Sequence, residues 1–423
     1  MTRAPVIEIG PAHLTLVQIL VLVGLIRAIS KGEWVVGGLC RIDHFLILWA
    51  ALLIGSSFFH TSDAWIFRLG MVWAQLGSYF FFRVFVQDVE EILYIFKALC
   101  VILIPIAILM LVEKNTGKNF FAILGGVDAI SAVRNGHVRA AGPFAHPILA
   151  GVVGATCFPM PLFVWTSHRK TALVGLFAAG GSVFASTSSG PIMMLLFIIL
   201  GLAFWKVRSY LHTIRLLALM GVFALDAVMK DPVYFLMARI DISGGSTGWH
   251  RAQLIRSSIE HFDEWWLTGT DYTRHWMQTG VYINNTQVDI TNHFLQMGVW
   301  GGIPLMIVFV MVLFAAFGTV GKVLRENESA SFEHKFLIWG LGAILFGHVW
   351  NFFSISLFDQ SIVFFYLVLA CIGTINLAMP FSGGEAKQVV SRIRESRYIV
   401  AKMNIVKGKS GIGKNTTFRG TLG

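Results

Sequence analysis

Apolar runs broken by short polar clusters recur along almost the whole chain, near residues 13–30, 44–60, 65–86, 92–112, 147–166, 171–186, 190–206, 211–230, 300–321, 335–356 and 360–379. Each predicts a helix on the scale of a hydrocarbon core about 30 Å thick. In lipid a backbone N–H or C=O finds no water, so a spanning segment must close its own hydrogen bonds, as a helix does. The pattern therefore predicts an all-α polytopic integral membrane protein with about 11 (10–12) transmembrane helices. Two stretches interrupt it, 113–146 and 231–299. The second is long enough for a large external loop with amphipathic helices of its own.

Composition agrees: the chain is 56% hydrophobic and only 13% charged, with a mean hydropathy of +0.70. Charge adds orientation. Arg169 and Lys170, then Lys206, Arg208 and Arg215, then Lys322, Arg325 and Lys335 mark breaks that alternation places on one side. The tail 380–423 falls on the same side, with nine Lys or Arg against two Glu, so 9 − 2 = 7 of the net +10 resides there. Short basic loops face the cytoplasm, and a basic tail beside a membrane fits anionic lipid, with no nucleic-acid partner implied. Residues 113–146 and 231–299 then face outward. Alternation puts the first residues outside too, leaving open a helix before residue 1 or a run that is really two. Arg27 and Lys31 follow the first run in place of a signal-cleavage pattern. Four units result: 1–230 with helices 1–8 and the external loop 113–146; 231–299 as the large loop carrying the site; 300–379 with helices 9–11; and 380–423. Cys40, Cys100, Cys157 and Cys371 are scattered without CxxC spacing, so neither a disulfide framework nor a zinc site is expected.

The candidate chemistry lies in the two external segments. Residues 231–292 hold Arg239, Arg251, Arg256 and Arg274, with His250, His261 and His275 but no lysine. Arginine offers a planar fork that matches phosphate or carboxylate oxygens, which lysine does not. Ala252, Ile255, Ile259 and Phe262 repeat at helical spacing and predict an amphipathic helix bordered by Arg251 and Arg256. Trp249, Trp265 and Trp266 are interfacial residues or sugar-stacking surfaces. Asp271, Arg274 and His275 form a compact polar cluster along the chain, and His293 stands just before the next apolar run, where an imidazole serves as a general base near neutral pH. In the first segment "VRNGHVRAAGPFAHPILAG" carries Arg134 and Arg139 among glycines and prolines, which predicts an ordered loop. Two arginine-bearing segments on one side suit one polyanionic ligand.

Three stretches together resemble the O-antigen ligase and O-antigen polymerase superfamily of bacterial envelope glycosyltransferases: "RAAGPFAHPILAG", "HRAQLIRSSIEHFDEWWLTGT" and "TNHFLQMGVWGGIPL", in the family's order over roughly residues 130–310. The resemblance implies a multi-pass protein of the bacterial inner membrane with its active site facing the periplasm. Its donor would be an undecaprenyl-diphosphate-linked glycan. The acceptor would be another glycan or lipid A–core, and a chain-length regulator and a flippase would be companions. It implies metal-independent transfer without a cofactor, with Arg139 and Arg251 on the diphosphate and His293 as base. Arg134, Arg256, Asp271, Arg274, His275 and Trp249 would contact substrate. Thr291 stands where the family often has histidine, and Ser189 where an earlier arginine would be, which points to a divergent exopolysaccharide or capsule polymerase branch. Ligase and transporter remain the other readings, the transporter weighed on His348, Asn351 and Asp226.

Overall fold

The computed structural model describes residues 6–9, 12–35, 37–62, 64–239, 248–277 and 281–378. The basic tail lies outside them. A small hairpin, β1 (Val6–Ile9) and β2 (Ala12–Thr15), precedes α1 (Leu16–Ser30), α2 (Arg41–Ser56), α3 (Ala64–Val72), α4 (Ser78–Phe85) and α5 (Val89–Thr116). A second hairpin, β3 (Ala132–Arg134) and β4 (His137–Arg139), leads to α6 (Pro147–Cys157), α7 (Met160–Phe163), α8 (Arg169–Ser186), α9 (Ser189–Ala203) and α10 (Leu211–Val228). Then come α11 (Leu236–Arg239), α12 (Gly248–Glu260), α13 (His293–Glu326), α14 (Phe332–Phe352) and α15 (Gln360–Ala378). The described residues are all-α apart from the hairpins.

Every apolar run coincides with helix, with two refinements. The run expected at 65–86 is α3 and α4 joined by a π-helical turn, Trp73–Gly77, and α7 continues α6 over 147–166. Four helical stretches among the described residues are long and apolar enough to cross a membrane: Arg41–Phe59, Val89–Thr116, Ser189–Val228 and His293–Glu326. In α10 no side chain is buried, and Leu216, Leu217, Met220 and Phe223 are all at least 50% exposed. A helix apolar around its circumference and uncovered by protein is at home in lipid.

Helix ends follow local chemistry. Asp88 caps α5 by accepting from the Glu91 N–H at 2.8 Å, and Gly117 ends the helix in the left-handed region. The helices then pack as α5 on α8, α9 on α14, α2 on α13 and α6 between α8 and α9. Small residues permit this: a Cβ on Gly151 would lie 2.6 Å from Pro191, and one on Gly347 2.3 Å from Ile198. The four cysteines are buried free thiols.

Arg68 and Arg83, two arginines inside an apolar run, turn inward. Arg83 is 1% exposed and pairs with the Asp43 carboxylate, Nε to Oδ1, at 3.4 Å, while its Nη1 donates to Thr374 Oγ1 at 3.3 Å. Arg68 Nη1 donates to Ser56 Oγ at 2.8 Å. A guanidinium in a dry bundle requires such partners, and Asp43 supplies the opposite charge.

The long α13 is kinked at Gly301 and Gly302. The kink frees backbone groups that the large loop then satisfies: Thr270 N–H donates to Val299 O at 2.9 Å, and Ile303 N–H to Trp266 O at 2.7 Å. Gly302 has φ 74° and ψ −174°, a region open essentially to glycine alone, and a Cβ there would sit 2.3 Å from Leu267 O. Gly302→Ala is therefore expected to destabilise the fold by about 3 kcal/mol, the upper range for one strained backbone residue. A fall in the Tm of detergent-purified protein checks this; an unchanged Tm would mean that the loop does not lock the kink.

Candidate functional site

The site is built on the β3–β4 hairpin. "RNGH" turns through Asn135 (φ 49°) and Gly136 (φ 77°), two positive-φ residues in a two-residue hairpin loop. The Asn-Gly pair announces this turn, although the stretch reads as a loop when judged by glycine and proline content alone. Glu113, buried near the end of α5, anchors the chain on both sides of the hairpin. Its carboxylate accepts from Ser131 Oγ and the Ala141 N–H at 2.9 Å, and from the Gly142 N–H at 2.8 Å. Ala140 N–H donates to Ala185 O at 3.1 Å, which ties the end of β4 to the end of α8.

Arg139 is thereby fixed. It is 8% exposed, its Nη2 donates to Ser188 Oγ at 2.8 Å, and its buried Nε has no partner. Ser188 belongs to the "STSSGP" turn between α8 and α9, so the serine-rich sequence there serves this arginine. Arg251, near the start of α12, likewise has a buried Nε without a partner.

The two expected segments come within electrostatic reach of each other, Arg134 of the first acting on Arg251 of the second. Burial pushes the pKa of the Arg139 guanidinium below its ordinary value, and the charge of Arg134 adds to the effect. Burial brings Arg251 down to about 10, with Arg134 adding to the effect and Asp289 opposing it. Burial, with Arg139 and Arg134, holds the His146 imidazole down at about 4. Burial raises the Asp289 carboxyl despite His250 and Arg251. The charge of Arg134 thus reaches Arg139 and His146 on its own segment and Arg251 on the other, and Asp289 lies within reach of Arg251. Like charges gathered in a partly dry place, with N–H groups left over, suit a bound anion.

Other expected residues stand elsewhere. Arg256 Nε donates to Glu260 Oε1 at 3.0 Å as an exposed i,i+4 pair. Asp271, Arg274 and His275 are no compact cluster. Asp271 bonds His60 Nδ1 at 2.7 Å and the Thr61 N–H at 2.9 Å, fastening the large loop to the turn after α2. Burial would raise the Asp271 carboxyl, but these two bonds hold it below its usual range. Arg274 donates to Asn284 O at 3.1 Å and stacks over Tyr282, and His275 contacts Glu264 at 2.9 Å. Trp249 is exposed on α12, whereas Trp265 is buried and donates to Ser258 O at 2.8 Å. The buried face of α12 carries Ala252, Leu254, Ser257 and Ser258, while Ile259 and Phe262 of the expected apolar face are exposed.

His293 is fully buried, with the rings of Phe309 and Phe352 each centred 4.9 Å away. Its Nδ1 accepts from the Leu357 N–H at 3.3 Å. The remaining nitrogen, Nε2, is buried without a partner. With its acceptor nitrogen engaged, this imidazole has no lone pair turned toward an incoming hydroxyl. It braces the start of α13, and the placement departs from the role of base. His348 is also structural, 3.0 Å from Thr156 Oγ1, and Asp226 accepts from the Val233 N–H at 2.8 Å.

One further grouping escaped the spacing rules for metal ligands: His261, Glu264 and His275 bring one ligand atom each within 4.8 Å of one another. Compared with known proteins, the chain matches no family model and no curated sequence.

His146 also caps α6, its Nδ1 accepting from the Ile148 N–H at 3.1 Å. The unfolded imidazole takes up its proton near 6.5, the folded one only near 4, so its stabilising effect is complete above 6.5 and is lost as pH falls toward 4. His146→Asn, which still caps, is expected to flatten the fall of Tm across that window; an identical pH profile would show that the imidazole is not held neutral.

Proposed function

We propose that the protein is a membrane-embedded glycosyltransferase that polymerises undecaprenyl-diphosphate-linked oligosaccharide repeat units at the periplasmic face of the bacterial inner membrane. About eleven membrane crossings, with both arginine-bearing segments outside, complete the reading. The observation that carries it is that Arg139 and Arg251, from two segments 112 residues apart, 251 − 139, each keep a buried, unpartnered Nε and each lie within reach of the charge of Arg134. Their guanidinium forks would bind the diphosphate and stabilise the charge it gains as the anomeric C–O bond breaks. The acceptor hydroxyl forms the new bond at that carbon. Its proton passes to Asp289, whose carboxyl is raised by burial beside Arg251 and His250, a better-placed base than the enclosed His293. Arg134 adds charge at the exposed rim, and the arginines themselves neutralise the leaving group.

Transfer to lipid A–core is the alternative reading, because a ligase needs the same diphosphate site. Reconstituted protein given an undecaprenyl-diphosphate-linked repeat-unit extract, without nucleotide or added metal, separates the cases. A ladder of lengthened lipid-linked products supports polymerase, and transfer only when lipid A–core is supplied makes it a ligase. An intact substrate without product in either assay would turn the reading toward transport.

In the productive assay, Arg139→Ala and Arg251→Ala are each expected to lose about 10²–10³ in rate, the scale for removing one charge-stabilising donor. Lysine at either position should rescue poorly, since the fork is lost. Asp289→Asn should cost more activity than a folded His293→Ala. Near-wild-type rates in both arginine variants would remove them from the diphosphate site.

A further inference from the structure

The C-terminal end of α12 carries a second constellation, about 15 Å along the helix from Arg251 at 1.5 Å per residue. His261 directly follows the helix, Glu264 lies in the short 3-10 turn Phe262–Glu264, and His275 lies in the turn Arg274–Trp276. We propose that His261, Glu264 and His275 bind a divalent transition-metal ion of the zinc class, which staples the turn Arg274–Trp276 to the end of α12. The inference does not depend on the glycosyl-transfer reading.

The orientation of each ligand supports it. His261 Nδ1 donates to Ser257 O at 2.9 Å, so in the neutral ring the lone pair sits on Nε2. Ligating histidines are commonly set in this way, one nitrogen bonded to a backbone carbonyl and the other turned to the metal. Glu264 is aimed likewise: Trp276 Nε1 donates to its Oε2 at 2.9 Å, leaving Oε1 toward His275 Nε2, also at 2.9 Å. Tyr272 stacks on the His275 ring at 5.0 Å and 12°. His261 stacks on Trp276 with centroids 5.9 Å apart and an interplanar angle of 20°. Ser257, Tyr272 and Trp276 thus fix three ligands that share one focus.

The spacing is close to what coordination needs. Two atoms each about 2.1 Å from an ion lie at most about 4.2 Å apart, and the three ligand atoms already lie within 4.8 Å of one another. Side-chain movements of under about 1 Å complete the site. The ion takes the place of the hydrogen that His275 Nε2 donates to Glu264, and the neutral ring then carries its hydrogen on Nδ1. Two imidazoles and one carboxylate suit zinc better than calcium or magnesium, which take oxygen ligands. Three protein ligands leave one position to water.

The test uses full-length protein purified with a tag free of histidine, stripped with EDTA and titrated with Zn2+ and with Co2+ as a spectroscopic probe. Wild type should bind one ion per chain, with visible Co2+ d–d bands, and added Zn2+ should slow proteolysis between residues 262 and 277. Glu264→Gln and His275→Ala should each weaken binding at least tenfold, with His212→Ala unchanged as a control at an exposed histidine. In Glu264→Gln the new amide oxygen would still accept from Trp276, so this variant decides the matter if His275→Ala fails to fold. No stoichiometric ion in wild type, or equal affinity in Glu264→Gln, would overturn the proposal.

Discussion

A single buried carboxylate organises the part of this protein that carries the β3–β4 hairpin. Glu113 sits 1% exposed at the end of α5 and receives three hydrogen bonds from residues 131–142. A carboxylate so placed is costly unless its oxygens are satisfied. The segment 131–142 is therefore compelled to fold back over the helix end. That return places β4 against α8, and with it Arg139 against Ser188. The placing of Arg139 is in this sense a consequence of burying Glu113, and a chain unable to satisfy that carboxylate would have no fixed arginine there.

Buried arginines in this molecule fall into two kinds, and the difference lies in their company. Arg83 faces Asp43 and Thr374, so its charge is answered within the bundle. Arg139 faces a hydroxyl, feels the like charge of Arg134, and keeps an N–H in reserve. The first arrangement holds helices together without any ligand. The second leaves a cation with a donor unused, and on the proposed reading a bound anion would supply what is missing. Charge alone would not have separated them, because both guanidinium groups lie inside the protein.

Much of the fold was legible because lipid imposes a simple rule, and apolar length predicts helix wherever the rule operates. The apolar runs became helices, most with ends within a few residues. What the sequence concealed depended on side-chain direction. Arg68 and Arg83 sit near helix ends, where reaching outward is the ordinary solution, yet Ser56 and Asp43 on α2 draw them in. The spacing of Ala252, Ile255 and Ile259 marks a helix, but Leu254 and Ser258 claim the buried face because the loop core around Trp265 and Trp276 lies on that side. For the candidate site, arginine without lysine in 231–292 singled out Arg251, and arginines set among glycines and prolines in 113–146 singled out Arg134 and Arg139. Nearness along the chain misled for Asp271, Arg274 and His275, whose partners His60, Asn284 and Glu264 are set by the path of the loop.

The same loop explains why the arginine of α12 can be held in place at all. A 13-residue helix on the outside of a bundle has little intrinsic stability. Its continuation, residues 262–270, is interlocked with the kink of α13, where Gly298 accommodates Trp265 and Gly302 accommodates the Leu267 carbonyl. Each partner satisfies backbone groups that the other leaves open, so neither the kink nor the loop is stable alone. The apolar cluster of Leu254, Trp265, Trp276, Ile290 and Leu295 then joins α12, the loop and the start of α13 into one body. Through that body the position of Arg251 is referred to a long apolar helix, and through Glu113 that of Arg139 is referred to another. Two arginines far apart in sequence are thus each tied, by different chemistry, to a helix long enough to cross the bilayer.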